Sequence, residues 1–225
     1  MIHPNMATTL TFITTDADIS AELLQRALSD VVKLTLNRVS VDGDTSTNDM
    51  VCVLAAGTAG NKPVNKENEE FDKFENALYA LMMNLARMMA RDGEGATKLI
   101  ECAVTGAETE KIAETVAKSV ITSSLFKAAM FGEDANWGRI LCAVGYADAE
   151  FDINKVDVQI GSEKGLIDVC KNGAGVEFSE EKAKEILQEE VINIIISIGN
   201  GGGKAVAWGC DLTYDYVKIN GDYRS

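Results

Sequence analysis

Met1-Ile-His-Pro-Asn-Met-Ala-Thr-Thr-Leu-Thr-Phe-Ile-Thr-Thr-Asp-Ala17 is the stretch on which the reading of the chain turns. Leu10 to Ile13 is apolar and β-prone, a strand by pattern. Directly before it stand a small residue, Ala7, and two hydroxyls, Thr8 and Thr9. A threonine at a strand start, behind a small residue, suits one chemistry well. Its hydroxyl can attack the peptide bond on its own N-terminal side and release a new N-terminal threonine. The freed α-amine, with a pKa of about 8, is then a usable general base for the same hydroxyl. Taken alone, the pattern also fits an ordinary strand, because threonine is a good β former.

Composition narrows the field. The 225 residues suffice for one domain with a sizeable core or two small lobes. The formal charge of −14 disfavours nucleic acid and anionic membrane as partners. Five cysteines lie far apart with no Cys-x-x-Cys pair, and His3 is the one histidine, so no metal site is expected. Cysteines set in apolar runs, such as Val51-Cys52-Val53 and Ile140-Leu141-Cys142, read as buried thiols in a reducing compartment. No apolar run approaches the ~18 residues of a membrane span, and the N-terminus lacks the blocks of a signal peptide. The cytoplasm is therefore the expected location.

Working outward from the first strand, Ala21 begins a helical pattern that runs to about Leu36. Met50 to Ala56 is a continuous apolar run, short enough for a buried strand. Gly57 to Glu70 reads as an exposed loop within one layered fold. Phe71, Phe74, Leu78, Leu81, Leu85 and Met88 then mark one face of a long helix, with its paired methionines as core filler. Gly93 would end that helix, and Lys98 to Thr105 is the next strand. Glu94 lies between two glycines: a solvated loop carboxylate, or one aimed into a cleft where the glycines admit a ligand. Thr109 to Phe131 is helical by pattern, and Asn136 is a good N-cap for a short helix from Trp137. Trp137 reads as a core anchor, whereas Arg139 could pair with a carboxylate or line a site. Short strands follow at Val156–Ile160, Gly165–Cys170 and around Val176, then a helix opened by Ser179. Val191 to Ile198 is the most β-prone segment, with Asn193 and Ser197 on one face. Gly199 to Gly203 lacks the ending of a phosphate loop and reads as a hairpin connection to a partner strand, Lys204 to Cys210. Strands alternating with helices point to α/β layers.

Four of these segments carry a resemblance. Met1 to Leu10 resembles the self-cleavage motif of the ornithine acetyltransferase family, the bifunctional glutamate N-acetyltransferases of arginine biosynthesis (ArgJ); Thr9 departs from the methionine usual there. Gly93-Glu94-Gly95-Ala96-Thr97-Lys98 resembles a second motif of that family, and Gly132 to Ile140 a third, with Ala135 where proline is usual. The C-terminus resembles a fourth, with Gly221 where alanine is usual. The four lie in the family's order from Met1 to Ser225.

The resemblance implies a layered αββα fold similar in outline to N-terminal-nucleophile hydrolases. It implies cleavage between Ala7 and Thr8, so that residues 1–7 are a stub and residues 8–225 the β-chain half of a longer precursor. Thr8 becomes the nucleophile. Thr8, Glu94, Asn220 and Ser225 bind substrate. The acetyl group passes from N-acetylornithine to Thr8 and on to glutamate; some members also accept acetyl-CoA as donor. No metal or organic cofactor is implied. The oxyanion-hole residues and a substrate-binding lysine belong to the other half, an α chain that joins this one in an α2β2 assembly. Two rivals remain at this level: a self-processing N-terminal-Thr amidase or aminopeptidase, in which water replaces glutamate, and a non-catalytic half that serves as an assembly partner.

Overall fold

The structure, a computed structural model, describes residues 9–45 and 48–222. The chain divides into two compact units, Met1–Ala86 and Arg87–Ser225, with the division inside a helix.

In the first unit, β1 (Leu10–Thr15) pairs in parallel with β3 (Met50–Ala55), Leu10 opposite Met50 through to Thr15 opposite Ala55. Parallel strands need a crossover, and α1 (Ala21–Leu34) lies within it. Ser20 caps α1 by accepting from the Leu23 amide, and Leu23, Ala27 and Val31, four residues apart, form its buried stripe. A two-residue strand, β2 (Val39–Ser40), follows. The expected buried strand at Met50 is a correction: Met50 is 42% exposed and Leu54 56%, and on β1 Leu10 is 68% exposed and Phe12 62%. An apolar run shows that residues suit burial, not that this chain alone buries them. The stretch from Gly57 is exposed as expected, except at Val64, whose amide and carbonyl bond to Asp18 and Ser20.

Helix α2 (Glu69–Arg91) starts where Asn68 Oδ1 accepts from the Glu70 and Phe71 amides. Its buried line is Phe71, Leu78, Met82, Ala86 and Ala90. Leu81 and Met88 are exposed, contrary to expectation, because steps of four carry the line round the helix and leave both more than about 100° from its mean direction. Of the paired methionines of α2, Met82 alone is fully buried core filler.

The second unit is built on a sheet in the order β9-β4-β8-β5-β6-β7. Strand β4 (Leu99–Ala107) runs parallel to β8 (Val191–Ser197) and antiparallel to β9 (Gly203–Cys210). Strands β5 (Asp157–Ser162), β6 (Gly165–Lys171) and β7 (Ala174–Gly175) continue the sheet antiparallel. Helices α3 (Glu110–Thr122), α4 (Ser124–Phe131), α5 (Trp137–Gly145) and α6 (Glu180–Leu187) supply its core partners. Strand β8 alternates strictly: Ile192, Ile194 and Ile196 enter the core with Val116, Val120 and Phe126, while Asn193 and Ser197 share the half-buried face. The chain ends in α7 (Tyr214–Asp222).

Four expectations change here. The segment from Thr109 is two helices, broken at Ser123, whose side chain accepts from the Phe126 amide and so caps α4. Trp137 is 36% exposed and lies over Gly175, where a Cβ would meet its ring at 2.4 Å. Arg139 Nη1 donates to the Leu125 carbonyl at 3.0 Å, tying α5 to α4, so a backbone carbonyl stands where a carboxylate partner was one of the two expectations. The glycine-rich connection is no hairpin, because β4 lies between β8 and β9. The loop crosses the end of β4 backbone to backbone, with the Gly201 amide on the Gly106 carbonyl at 2.9 Å.

Among the described residues no helix is long and apolar enough to cross a membrane, and no group of three or more His, Cys, Asp or Glu is placed to hold a metal. His3 lies outside the described residues. Cys102, Cys170 and Cys210 are buried, Cys52 is half-buried, and Cys142, expected inside, is exposed. Burial pushes the Cys102 and Cys170 thiols up. A thiol reagent at neutral pH is therefore expected to label Cys142 in the native protein, and Cys102 roughly a hundredfold more slowly, through opening of the fold. Peptide mapping by mass spectrometry checks this; equal rates would show that the sheet core is open.

Candidate functional site

The site grows from the turn that links α2 to β4. After Arg91 the chain reverses, the Ala96 amide bonding to the Gly93 carbonyl at 2.9 Å across Glu94 and Gly95. Gly95, not Gly93, holds the left-handed conformation, at φ 67°. A Cβ there would stand 2.7 Å from the Tyr216 amide nitrogen and 2.9 Å from the Asp215 carbonyl carbon. The glycine expected to admit a ligand thus admits the backbone of α7.

Three further side chains fasten the turn. Thr213 Oγ1 donates to the Gly95 carbonyl at 2.7 Å and accepts from the Tyr216 amide at 3.2 Å, which also caps α7. Asp211, buried at 3% exposure, accepts from the Thr97 amide at 2.8 Å, the Thr97 hydroxyl at 2.5 Å and the Lys98 amide at 3.0 Å. Lys98, also buried, donates through Nζ to the Leu187 carbonyl at 2.6 Å. At the start of α7, Phe131 and Tyr214 meet edge to face with centroids 5.5 Å apart.

The result brings two expected site residues together across 126 residues of chain: Asn220 Nδ2 donates to Glu94 Oε2 at 3.4 Å and to the Tyr216 carbonyl at 3.0 Å. Both side chains are exposed. A carboxylate beside a carboxamide at the surface can accept from an ammonium group and offer both a donor and an acceptor to a neighbouring polar group. Ala7, Thr8 and Ser225, the other expected site residues, lie outside the described residues.

In the first unit, the peptide that follows Thr8 is held on both sides. The Thr9 amide donates to the Asp49 carboxylate, and the Thr9 carbonyl accepts from the Met50 amide at 2.8 Å. Burial pushes the Asp49 carboxyl up, against the pull of the Thr9 N–H.

Asp49, Asp211 and Thr213 escape a reading of sequence. Thr213 carried a usable signal, an N-cap residue before Tyr-Asp-Tyr-Val; the other two act through hydrogen bonds to distant backbone, which leave no local pattern. A cavity of about 250 Å³ lies at the other end of β4, lined by Gly106, Glu108, Glu150, Asp152, Lys155 and Gly201 among others, and neither Glu94 nor Asn220 borders it.

Set beside known proteins, the layered α/β fold, similar in outline to the N-terminal-nucleophile hydrolases, is shared with the arginine biosynthesis bifunctional protein ArgJ of Bacillus halodurans. Its crystal structure matches with a TM-score of 0.91 and 48% identity, over 96% of this chain and 100% of that one. The arginine biosynthesis bifunctional protein ArgJ 1 of Clostridium acetobutylicum and the ArgJ of Caldanaerobacter subterraneus subsp. tengcongensis are each 53% identical over 225 residues, the whole of this chain. The family model described as "ArgJ family" matches residues 1–225, and the chain belongs to that family. It spans about half the length of these two relatives, 55% and 56%.

Proposed function

We propose that this chain is the β-chain half of an acetyltransferase of arginine biosynthesis, active together with an N-terminal α half. In this reading the Ala7–Thr8 bond is cut by the Thr8 hydroxyl, residues 1–7 remain with the preceding half, and residues 8–225 form the β chain. The freed Thr8 amine takes the hydroxyl proton as the oxygen attacks the acetyl carbonyl of N-acetylornithine. The tetrahedral intermediate collapses, ornithine leaves with that proton, and acetyl-Thr8 remains. The glutamate amine then attacks the ester, N-acetylglutamate leaves, and Thr8 regains its proton. Acetyl-CoA is a second donor to be tested. Glu94 accepts from the ammonium of the amino acid, with Asn220 and Ser225 on its other polar groups.

The observation that carries this reading is the meeting of Glu94 and Asn220, two motif residues from opposite ends of the second unit, in a chain half identical to ArgJ proteins. The full coverage of a Bacillus halodurans chain by this one supports a separate β polypeptide. The exposed Leu10, Phe12 and Leu54 support a covering partner, for which the α chain of an α2β2 assembly is the candidate. A cytoplasmic location accords with the buried free thiols.

The test is acetyl transfer from N-acetylornithine to glutamate by the protein made together with its N-terminal half. Release of acetate at the same rate without glutamate would favour an amidase, and no turnover would favour an assembly role. Within this assay Glu94→Gln is expected to raise KM for the amino acid by roughly tenfold or more, the loss of one charge-assisted contact. Its melting temperature should hold, because the side chain is exposed and its hydrogen bond, from Asn220, lies at the surface. A collapse in melting temperature would make Glu94 structural and overturn the assignment.

A further inference from the structure

We infer that Asp211 and Thr213 are positioning residues for the amino-acid site: they clamp the turn bearing Glu94 to the helix bearing Asn220 and so set the spacing of that pair. The inference rests on the functional reading above.

The argument begins with how little else holds α7. None of its nine residues is buried, and Tyr214 and Val217 are 83% and 66% exposed. A helix so short, with Asn220 and Gly221 in its last turn, is marginal on propensity alone. Its position is therefore set at its first turn. There Thr213 uses one hydroxyl twice, its hydrogen on the Gly95 carbonyl and its lone pair on the Tyr216 amide. The bare backbone of Gly95 lets that first turn come close. Two residues earlier, Asp211 takes three donors from Thr97 and Lys98. The turn is thus gripped on both sides of Ala96 by groups two residues apart, across sequence separations of 114 and 118.

Leverage makes the grip matter. Asn220 lies seven residues beyond Thr213, about 10 Å along a helix at 1.5 Å per residue. A tilt of about 10° at the first turn would carry its amide by about 2 Å on that arm. The Asn220–Glu94 contact, at 3.4 Å, is already near the outer limit of a hydrogen bond, so such a tilt would separate the pair.

The test uses the assembled protein with Thr213→Val, Thr213→Ser and Asp211→Asn. Thr213→Val keeps the shape and removes both bonds; Thr213→Ser keeps both. Thr213→Val should raise KM for the amino acid about tenfold with kcat changed less than about threefold, and Thr213→Ser should restore it. Asp211→Asn should raise KM in the same direction. Added to Glu94→Gln, Thr213→Val should bring no further rise, because the contact it aligns is already gone. Hydrogen exchange should quicken at Tyr216 in Thr213→Val and at Thr97 and Lys98 in Asp211→Asn. Additive KM effects, a fall in melting temperature with KM unchanged, or failure of serine to rescue would each overturn the proposal. If the unaltered protein transfers no acetyl group, the functional reading falls. The clamp is then judged by exchange, where unchanged protection of residues 94–98 and 214–222 in Thr213→Val overturns it.

Discussion

Thr8→Ala is expected to leave the Ala7–Thr8 bond uncut and to lower acetyl transfer by on the order of ten-thousandfold or more. Alanine supplies no nucleophile for either step. The amino-acid site proposed at Glu94 and Asn220 does not include Thr8's hydroxyl, so affinity for ornithine should change little. Thr8→Ser keeps a hydroxyl and should retain both cleavage and transfer at reduced rates. Thr9 is the obvious rival nucleophile, since it stands where the family's usual residue is methionine. Its backbone is already engaged on both sides, its amide with Asp49 and its carbonyl with Met50, at the head of the β1–β3 ladder. Thr9→Ala should therefore be cut at the same bond. Intact mass and transfer rate check all three variants. A new N-terminus in Thr8→Ala, or a tenth of the normal rate, would remove Thr8 from the mechanism.

The second large effect concerns stability. Gly106 sits at φ 75°, and a Cβ there would stand 2.1 Å from the Gly199 carbonyl oxygen, an atom of backbone. Gly106→Ala thus combines a left-handed alanine with a clash that no rotamer relieves. The loop beyond is equally constrained: a Cβ on Gly201 would stand 2.0 Å from the Ala107 carbonyl oxygen. A loss above about 3 kcal/mol is expected, lowering the melting temperature by about 10 °C for a chain of this size. Gly202 is the control in the same loop, with nothing within 4 Å of its Cβ, and Gly202→Ala should stay within about 0.5 kcal/mol. Thermal melts of the two variants decide it; a Gly106→Ala protein within about 2 °C of the parent would mean that the loop does not cross β4 so closely.

That loop also shows where sequence ran out. The helices from Ala21, Glu69, Glu110, Trp137 and Glu180, and the strands from Leu10, Leu99 and Val191, were legible because each carries its period and, at Ser20, Thr109, Asn136 and Ser179, its cap. Pairing was not legible. Five residues rich in glycine read as a hairpin because neighbours in sequence usually pair, whereas here the glycines serve a backbone crossing. Helix α7 hid behind poor helix formers, since its stability comes from Thr213 and the turn it touches. Glu94 and Asn220 were found by resemblance; neither periodicity nor composition would have placed a carboxylate beside an amide 126 residues away. The exposed apolar side chains of β3 were misjudged for another reason: the pattern records what a surface is suited to, and a partner can satisfy it as well as the chain itself.

The sheet order has a bearing on biosynthesis. Strand β4 ends at Ala107, yet its two neighbours, β8 and β9, do not begin until Val191 and Gly203. At about 5–20 residues per second, a ribosome needs roughly 5–20 s to deliver the rest of both. For that time an apolar strand that will lie inside the sheet has both edges unpaired on the nascent chain. A polypeptide stopped short of Gly203 never completes it, and such edges template association with other chains. The last tenth of the molecule therefore decides whether the preceding part of the second unit is a folding intermediate or a seed for aggregation.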